Sequence, residues 1–408
     1  QQARDRAAGL NTAGYVTGYR GSPLGAVDQQ MARAKPVLEA ADIRFHEGLN
    51  EDLAATAIWG TQQAELRGEG KYDGVFALWY GKGPGVDRTG DAMKHANMAG
   101  TSPHGGVIMA MGDDHTGESS TVLHQSDWAM VDAYIPVISP AGVQEILDYG
   151  HYAFALSRFS GLWVGLKTMK DTVEATAVVD GNPHRMSFVA PADFPMPPGG
   201  LNIRLVDTPV AQEARMIDHK RFAAEAFARA NRIDRRVWGQ PGARIGLVAA
   251  GKNWLDLVHA LNLLGIDAQQ AERLGITTYK VVQTFPLDMD SFHEWAEGLD
   301  LIIVVEEKRK LIEVQVKEAI FDDRRGRRVY GWHKGDTWQN GRRLELFPTR
   351  YALDPVMIAE KLGAILIEEG RETEGIRAGL ARVAEARRAD NAPELASRTP
   401  WFCSGCPH

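Results

Sequence analysis

Cysteine is nearly absent from this chain of 408 residues, in which only Cys403 and Cys406 occur. Two cysteines so close together cannot build a disulfide framework, and a cysteine-poor chain is typical of a reducing compartment, so we expect a cytoplasmic protein. Long apolar runs are absent as well, since none approaches the roughly 18 residues that a membrane-spanning helix needs. The first residues do not have the pattern of a signal peptide. We therefore expect no membrane partner.

The chain also lacks an excess of positive charge. Its 46 Lys and Arg residues are outnumbered by 53 Asp and Glu residues, which gives a net charge of −7 at pH 7. Nucleic-acid-binding proteins need a basic face, so this balance argues against nucleic acid as a partner. The one dense basic cluster, residues 324–328, follows Asp322 and Asp323 and is typical of a solvated turn.

The overall composition is that of an ordinary globular protein, and the length predicts two or three domains of about 150 residues. Residues 1–195 alternate short apolar runs with turns and helical stretches, which predicts a parallel sheet with helices. A Pro- and Gly-rich linker follows over residues 196–239. Residues 240–350 repeat the strand–helix–strand pattern and predict a second parallel sheet. Residues 351–400 predict a charged helical linker. The fold class is therefore α/β, with two parallel-sheet domains.

Ligands of parallel sheets bind beyond the carboxyl ends of the strands. Three stretches that follow predicted strands and are predicted as loops, residues 20–23, 81–85 and 112–117, are therefore expected at one site. In the first stretch, Arg20 offers a guanidinium fork suited to a carboxylate, and Ser22 offers a hydroxyl. The same residues also suit an ordinary strand–turn–helix connection with a capping serine. The second stretch matches neither the phosphate loop nor the dinucleotide fingerprint.

A group of acids lies at the predicted start of a helix after residue 50. Acidic residues in a first helical turn suit the helix dipole, which is one interpretation of Glu51 and Asp52. The other interpretation singles out Glu51, because the helix that follows is rich in Ala and Gly and can bury its first turn. Burial disfavours the charged form of a carboxyl group, so Glu51 can share a proton with a cofactor nitrogen.

The third stretch begins Gly-Asp-Asp-His at residue 112. A Gly-Asp-Gly followed by Asn would mark a magnesium–diphosphate site, but Asp114 holds the third position and no suitable Asn follows before Asn182. We therefore exclude such a site in this chain. A polar loop that lines a pocket is expected instead, with His115 or His124 as acid/base candidates and a structural role as the alternative.

The two cysteines form a CxxC pair, which is half of a four-cysteine iron–sulfur or zinc site. The chain begins at Gln1 without an initiator Met and ends two residues after Cys406. We therefore expect the sequence to continue on both sides, with the remaining metal ligands beyond this chain or on another one.

Together these groups resemble the 2-oxoacid:ferredoxin oxidoreductase family, in its indolepyruvate branch of large fused bacterial members. Residues 19–23, Tyr-Arg-Gly-Ser-Pro, are similar to the family's Tyr-x-Gly-Thr/Ser-Pro turn. Asn50-Glu51 resembles the start of the helix that activates thiamine. Residues 112–114 with Ser119, Ser120 and the His-Gln-Ser of residues 124–126 resemble the indolepyruvate branch. Residues 402–408 resemble the entry to its diphosphate-binding domain.

The resemblance implies a pyrimidine-type thiamine-diphosphate-binding domain, then a transketolase-C-like domain, and at residue 401 the start of an iron–sulfur and diphosphate-binding domain. It also implies roles for particular residues. Glu51 would be catalytic and would hydrogen-bond the aminopyrimidine of the cofactor. The other implied residues are Gly81, Lys82 and Gly83 for the cofactor, Arg20, Ser22 and His115 for the substrate, and Cys403 and Cys406 for a [4Fe-4S] cluster.

The family's reaction converts a 2-oxoacid and coenzyme A into acyl-CoA and CO₂ and reduces ferredoxin. The resemblance implies an aryl substrate such as indolepyruvate, Mg²⁺ with its ligands outside this chain, a homodimer, and the rest of the enzyme polypeptide as a partner. We expect the isolated fragment to be inactive. Two other interpretations stay open: half of another thiamine-diphosphate enzyme of the decarboxylase or transketolase type, and a non-catalytic subunit with a degenerate pocket.

Overall fold

The computed structural model describes residues 1–118 and 122–390, which form two compact units. The first unit comprises Gln1–Ile233 and Val282–Asp288. The second comprises Asp234–Val281 and the described chain from Met289 onwards. Both units contain mainly parallel sheets with helices, so the predicted α/β class is confirmed.

The strands of the described residues are short and follow the apolar runs of the sequence. They are β1 (Thr12–Gly18), β2 (Ile43–Glu47), β3 (Gly74–Lys82), β4 (Val107–Asp113), β5 (Val137–Ile138), β6 (Val164–Met169), β7 (Arg235–Arg236), β8 (Ile245–Ala250), β9 (Ile276–Val281), β10 (Gln283–Phe285), β11 (Leu301–Val305), β12 (Arg328–Tyr330), β13 (His333–Gln339) and β14 (Arg342–Glu345).

The helices lie between these strands and at the end of the described chain. They are α1 (Gln2–Ala7), α2 (Val27–Arg33), α3 (Lys35–Ala40), α4 (Glu51–Thr61), α5 (Gly83–Arg88), α6 (Gly90–Ala99), α7 (Asp127–Asp132), α8 (Val143–Ser160), α9 (Lys170–Val173), α10 (Pro209–Arg215), α11 (Arg221–Ala230), α12 (Gly251–Leu263), α13 (Ala268–Arg273), α14 (Met289–Trp295), α15 (Ile312–Ala319), α16 (Pro355–Glu368) and α17 (Glu374–Asp390). A π-helical turn, Met216–Lys220, joins α10 to α11.

The sheet of the first unit has the strand order β10-β5-β6-β4-β3-β1-β2. All of its pairs are parallel except the pair of β10 with β5, which is antiparallel. Strand β10 lies far from β5 in sequence, within the region that we expected to form the second domain. Sequence patterns report local periodicity and not distant pairing, so this edge strand was not predicted.

Both faces of this sheet are covered, because alternate residues of a strand point to opposite sides. In β4, Val107, Met109 and Met111 join one core cluster with residues of α4, α5 and α6. Ile108 joins the other cluster, which contains Phe227 of α11 together with residues of α8. Residues 209–230 thus belong to the core of the first unit and do not form the linker that we predicted over 196–239. The apolar face of α11 is the physical reason.

The π-helical turn buries the charged side chain of Lys220 completely. Its ammonium donates to the backbone carbonyl of Gly161 at 3.1 Å and to those of Asn97 and Met98, each at 3.4 Å. Two of these acceptors lie in the last turn of α6, where carbonyl groups lack intrahelical partners. Burial lowers the pKa of Lys220 to about 7.

The second unit contains a sheet with the strand order β12-β11-β8-β9-β7, in which only β7 is antiparallel to its neighbour. Strands β13 and β14 form a separate antiparallel hairpin. Helix α16 packs against α12 and buries Ile358, Leu362 and Leu366. Residues 355–368 therefore form part of this unit's core, whereas we predicted a charged helical linker over 351–400. Among the described residues, no helix is long and apolar enough to cross a membrane.

Candidate functional site

The carboxyl ends of β1, β2 and β3 are joined by backbone hydrogen bonds. The amide of Gly48, just after β2, donates to the carbonyl of Gly18 at 2.9 Å, and the amide of Tyr19 donates to the carbonyl of Tyr80 at 3.1 Å. Gly48 also lies against the first turn of α4, since a Cβ at this position would be 3.0 Å from the Cβ of Ala54. The start of α4 is thereby placed at the edge of the sheet where ligands bind in parallel α/β folds.

The turn that follows β1 lies against the ends of β3 and β4. A Cβ on Gly21 would be 2.9 Å from Cδ of Lys82, and a Cβ on Gly112 would be 3.0 Å from Cδ of Pro23. Glycine at both positions permits this close approach. The structure therefore brings the predicted residues Arg20, Ser22 and Lys82 into one region. Among the described residues, neither Arg20 nor Lys82 has a carboxylate partner, and Arg20 is exposed.

Glu51 is the first residue of α4, and Asn50 caps this helix by accepting a hydrogen bond from the amide of Leu53 at 2.9 Å. The residue is only 7% exposed. Its backbone carbonyl accepts a hydrogen bond from the indole of Trp79 at 3.2 Å. The carboxylate accepts no hydrogen bond from the described residues, and Nε of Arg88 lies 3.8 Å from Oε2. The mostly buried carboxylate therefore keeps acceptor capacity that suits a hydrogen-bond donor supplied by a ligand.

The glycine-rich stretch of residues 81–85 differs from the loop that we predicted. Strand β3 continues to Lys82, and helix α5 begins at once with Gly83. A Cβ on Gly85 would be 2.7 Å from Oε1 of Glu51, and a Cβ on Gly83 would be 2.4 Å from the ring of His124. These two glycines let the carboxylate and the imidazole lie directly against the backbone of α5. Their role in the structure is close packing.

Asp113, the last residue of β4, is fully buried. Its carboxylate accepts hydrogen bonds from the amide of Ser126 at 2.9 Å and from the hydroxyl of Ser126 at 2.6 Å. Nζ of Lys167 lies 3.8 Å away and also donates to Asp127 at 2.5 Å. Burial alone would raise the pKa of Asp113, but hydrogen bonds from His115 and His124 and the charge of Lys167 hold this pKa far below its usual range. These donors and the charge of Lys167 therefore favour the anionic form of the buried Asp113.

His124 lies between this anion and α5. Its Nε2 is 2.8 Å from Oδ2 of Asp87, and its Nδ1 is 3.6 Å from Oδ1 of Asp113. Burial would lower the pKa of His124, but the hydrogen bonds to Asp113 and Asp87 outweigh burial and raise it. His115, which we predicted as a substrate residue, is 2% exposed, with Nε2 3.9 Å from Oδ2 of Asp113. His115 thus faces the anion and does not line an open surface.

Sequence reasoning named Glu51 and the two histidines but missed the residues that surround Asp113. Asp87, Asp127 and Lys167 come from three different elements, so no local motif indicates them. Ser126 belongs to the His-Gln-Ser stretch, which was a usable signal. Ser119, Ser120, Cys403 and Cys406 lie outside the described residues. Within residues 1–118 and 122–390, no group of three or more His, Cys, Asp or Glu side chains could hold a metal ion.

Known proteins are similar to this chain along its whole length. Residues 235–390 match the family model of the indolepyruvate oxidoreductase domain. The chain is 25% identical over 419 residues to the indolepyruvate oxidoreductase subunit IorA of Pyrococcus abyssi, an alignment that covers 100% of this chain and 57% of that protein. It is 22% identical over 414 residues to the same subunit of Methanothermobacter marburgensis, with coverage of 100% and 58%. The chain therefore spans less than three fifths of these relatives.

Among solved structures, the fold is similar to the 2-oxoglutarate:ferredoxin oxidoreductase from Magnetococcus marinus, a structure with 2-oxoglutarate, coenzyme A and succinyl-CoA bound. The TM-score is 0.55 at 14% sequence identity, and the match covers 89% of this chain and 63% of that one. At this identity the likeness concerns the fold. Residues 235–390 thus match the indolepyruvate oxidoreductase domain, and the entire sequence is similar to subunits of that name.

Proposed function

We propose that this chain supplies the pyrimidine side of a thiamine-diphosphate site in a 2-oxoacid:ferredoxin oxidoreductase, with Glu51 as its catalytic residue. The observation that carries the proposal is the Glu51 carboxylate, which is buried at a helix start and accepts no hydrogen bond from the described residues. Gly85 leaves the space into which this carboxylate extends.

The residues at this edge of the sheet fit such a cofactor. The carboxylate of Glu51 accepts no hydrogen bond from the described residues, so it can accept one from a ring nitrogen of the cofactor. The indole of Trp79 holds the backbone of Glu51, and Asn50 caps the same turn, so the carboxylate starts from a rigid support. Thiamine diphosphate, when bound, supplies the carbon nucleophile and the electron sink for decarboxylation.

The substrate class follows from the cations beside the turn after β1. Arg20 and Lys82 have no carboxylate partner in the described part of the chain, and the stem of Lys82 packs on Gly21, the residue that follows Arg20. The guanidinium of Arg20 and the ammonium of Lys82 would suit the carboxylate of a 2-oxoacid, and Ser22 would add a hydroxyl donor. We keep Gly81 and Gly83 for the cofactor, as the family resemblance implies, whereas Lys82, which was predicted for the cofactor, is proposed for the substrate instead. The burial of His115 favours a role in holding Asp113 over substrate contact.

The parent enzyme would contain more than this chain. We propose an aryl 2-oxoacid such as indolepyruvate as substrate, coenzyme A as acyl acceptor and ferredoxin as electron acceptor. Cys403 and Cys406 would be two of the four ligands of a [4Fe-4S] cluster, and the ligands of Mg²⁺ would lie outside this chain. We also propose a cytoplasmic homodimer that is completed by the remaining enzyme polypeptide.

Glu51→Gln in the complete enzyme tests the role of Glu51. The substitution keeps the shape of the side chain but removes its basicity, so 2-oxoacid-dependent reduction of methyl viologen is expected to fall by about 10²- to 10⁴-fold. Glu47→Gln, at an exposed position on β2, is the matched control and should retain the activity. Equal rates for Glu51→Gln and the parent enzyme would favour the alternative of a non-catalytic subunit.

A further inference from the structure

The hydrogen bonds around His124 determine its protonation state. The hydroxyl of Ser126 donates its single proton to Oδ1 of Asp113 at 2.6 Å. The 3.3 Å contact between this hydroxyl and Nδ1 of His124 must therefore use a proton from the ring. Nε2 lies 2.8 Å from Oδ2 of Asp87, which can only accept. This arrangement favours donation by both ring nitrogens, which is the imidazolium form of the ring.

This imidazolium connects two elements of the candidate site. Asp87 belongs to α5, whereas Asp113 ends β4. The ring also touches the backbone at Gly83, the first residue of α5. Two residues further on, Gly85 forms the surface against which Glu51 packs. The position of the Glu51 carboxylate therefore depends on the position of α5.

A second ion pair connects α5 to α4. Nε of Arg88 lies 3.2 Å from Oδ2 of Asp52 in the first turn of α4. Helix α5 is short, with six residues, so its own hydrogen bonds hold it weakly. The ion pairs of Asp87 and Arg88 compensate for this weakness.

We propose that His124 is a positioning residue, an imidazolium that bridges Asp87 and Asp113 and so holds α5 in the place where it supports Glu51. This role rests on the proposed function of Glu51, but the bridge itself is a property of the chain. Neutralising His124 would break the bridge, because a neutral ring has one proton for two acceptors. The connection between α5 and β4 would then loosen, and the carboxylate of Glu51 would lose its fixed support.

Among the charged groups around the bridge, His124 is the one whose protonation makes the bridge sensitive to pH. Asp113 faces His115 and Lys167, and Lys167 also binds Asp127 of α7. These neighbours and the ring keep Asp113 anionic. On α5, Arg88 is directed to Asp52 and Glu51. His124 is the member of the bridge whose charge changes near neutral pH, and its raised pKa extends the charged form upward.

Hydrogen exchange of the α5 amides in the full chain tests the bridge without any activity. In His124→Asn, exchange at residues 86–89 should be about two- to fivefold faster at pH 6.5, the effect expected for one partly exposed ion pair. In the parent, protection of these amides should decrease as pH rises through the pKa of His124. His95→Asn is the control, because His95 is an exposed histidine of α6 paired with Asp91. Asp87→Asn breaks the bridge at its exposed end, which keeps folding intact.

Activity of the complete enzyme tests the consequence for Glu51. His124→Asn should lower kcat about tenfold with little change in KM, because a displaced group weakens the transition state more than substrate binding. In the parent enzyme, activity should fall as pH rises through the pKa of His124. His124→Arg should keep most of the parent's rate, and its activity should not show this fall, because arginine stays charged. Unchanged α5 exchange in both His124→Asn and Asp87→Asn would overturn the proposal, whatever the activities. Altered exchange together with a fully active Glu51→Gln enzyme would support the bridge and refute the role of Glu51.

Discussion

Replacing Gly85 by alanine should displace Glu51 without unfolding the protein. The added Cβ would lie 2.7 Å from both Cγ and Oε1 of Glu51. Carbon atoms in contact are roughly 3.5 Å apart, so the carboxylate has to retreat by about 0.8 Å. Gly85 does not have a positive φ, and alanine is the better helix former by up to about 1 kcal/mol. The free energy of unfolding should therefore stay equal or increase.

The activity should respond in the opposite direction. A misplacement of about 1 Å at a reacting group can reduce a rate by about 10²-fold, so a loss of this order is expected in the complete enzyme. The assay is 2-oxoacid-dependent reduction of methyl viologen, with thermal unfolding measured on the same samples. Gly90→Ala is the matched control, because Gly90 begins α6 and a Cβ there would have no neighbour within 4 Å. Equal activity of the Gly85→Ala and Gly90→Ala enzymes would refute the reasoning.

Two further predictions concern stability. Burial lowers the pKa of Lys220 to about 7 from the ordinary 10.5. Between these two pH values the unfolded chain binds more protons than the folded chain. The free energy of unfolding of the parent protein should therefore increase as pH rises from about 7 to 10.5. Lys220→Met should lack this increase, which is at most about 1.4 kcal/mol per pH unit and can be measured by urea unfolding. If the stabilities of the variant and the parent changed with pH in parallel, the lowered pKa of Lys220 would be contradicted. Phe227→Ala should destabilise the first unit by about 3–5 kcal/mol, because α11 is part of its core. Phe222→Ala, at an exposed position of the same helix, should cost far less.

The local features of the candidate site could be predicted from the sequence. Asn50 caps a helix whose first residue is Glu51, as the Asn-Glu pair ahead of small residues indicated. The residues after β1, β3 and β4 do come together, because parallel strands end at one edge of a sheet. The glycine-rich stretch was placed correctly, but its form was wrong: an abrupt strand-to-helix junction replaces the loop.

The bridge around Asp113 could not be predicted in this way. Asp87, His124 and Lys167 lie on different elements, and nothing in their local patterns relates them. The same limit explains the errors in the extent of the domains. Residues 283–285 join a strand more than a hundred positions earlier, and α11 and α16 enter the cores of their units.

The sequence by itself determined the α/β class, the succession of strands and helices, and the presence of a carboxylate at a capped helix start. These properties depend on side-chain periodicity and on capping, which act over a few residues. Only the tertiary structure decided which distant segments are neighbours, which helices belong to a core, and which charges face each other. Such choices depend on the burial of complementary surfaces between segments far apart in the chain, and local patterns do not contain that information.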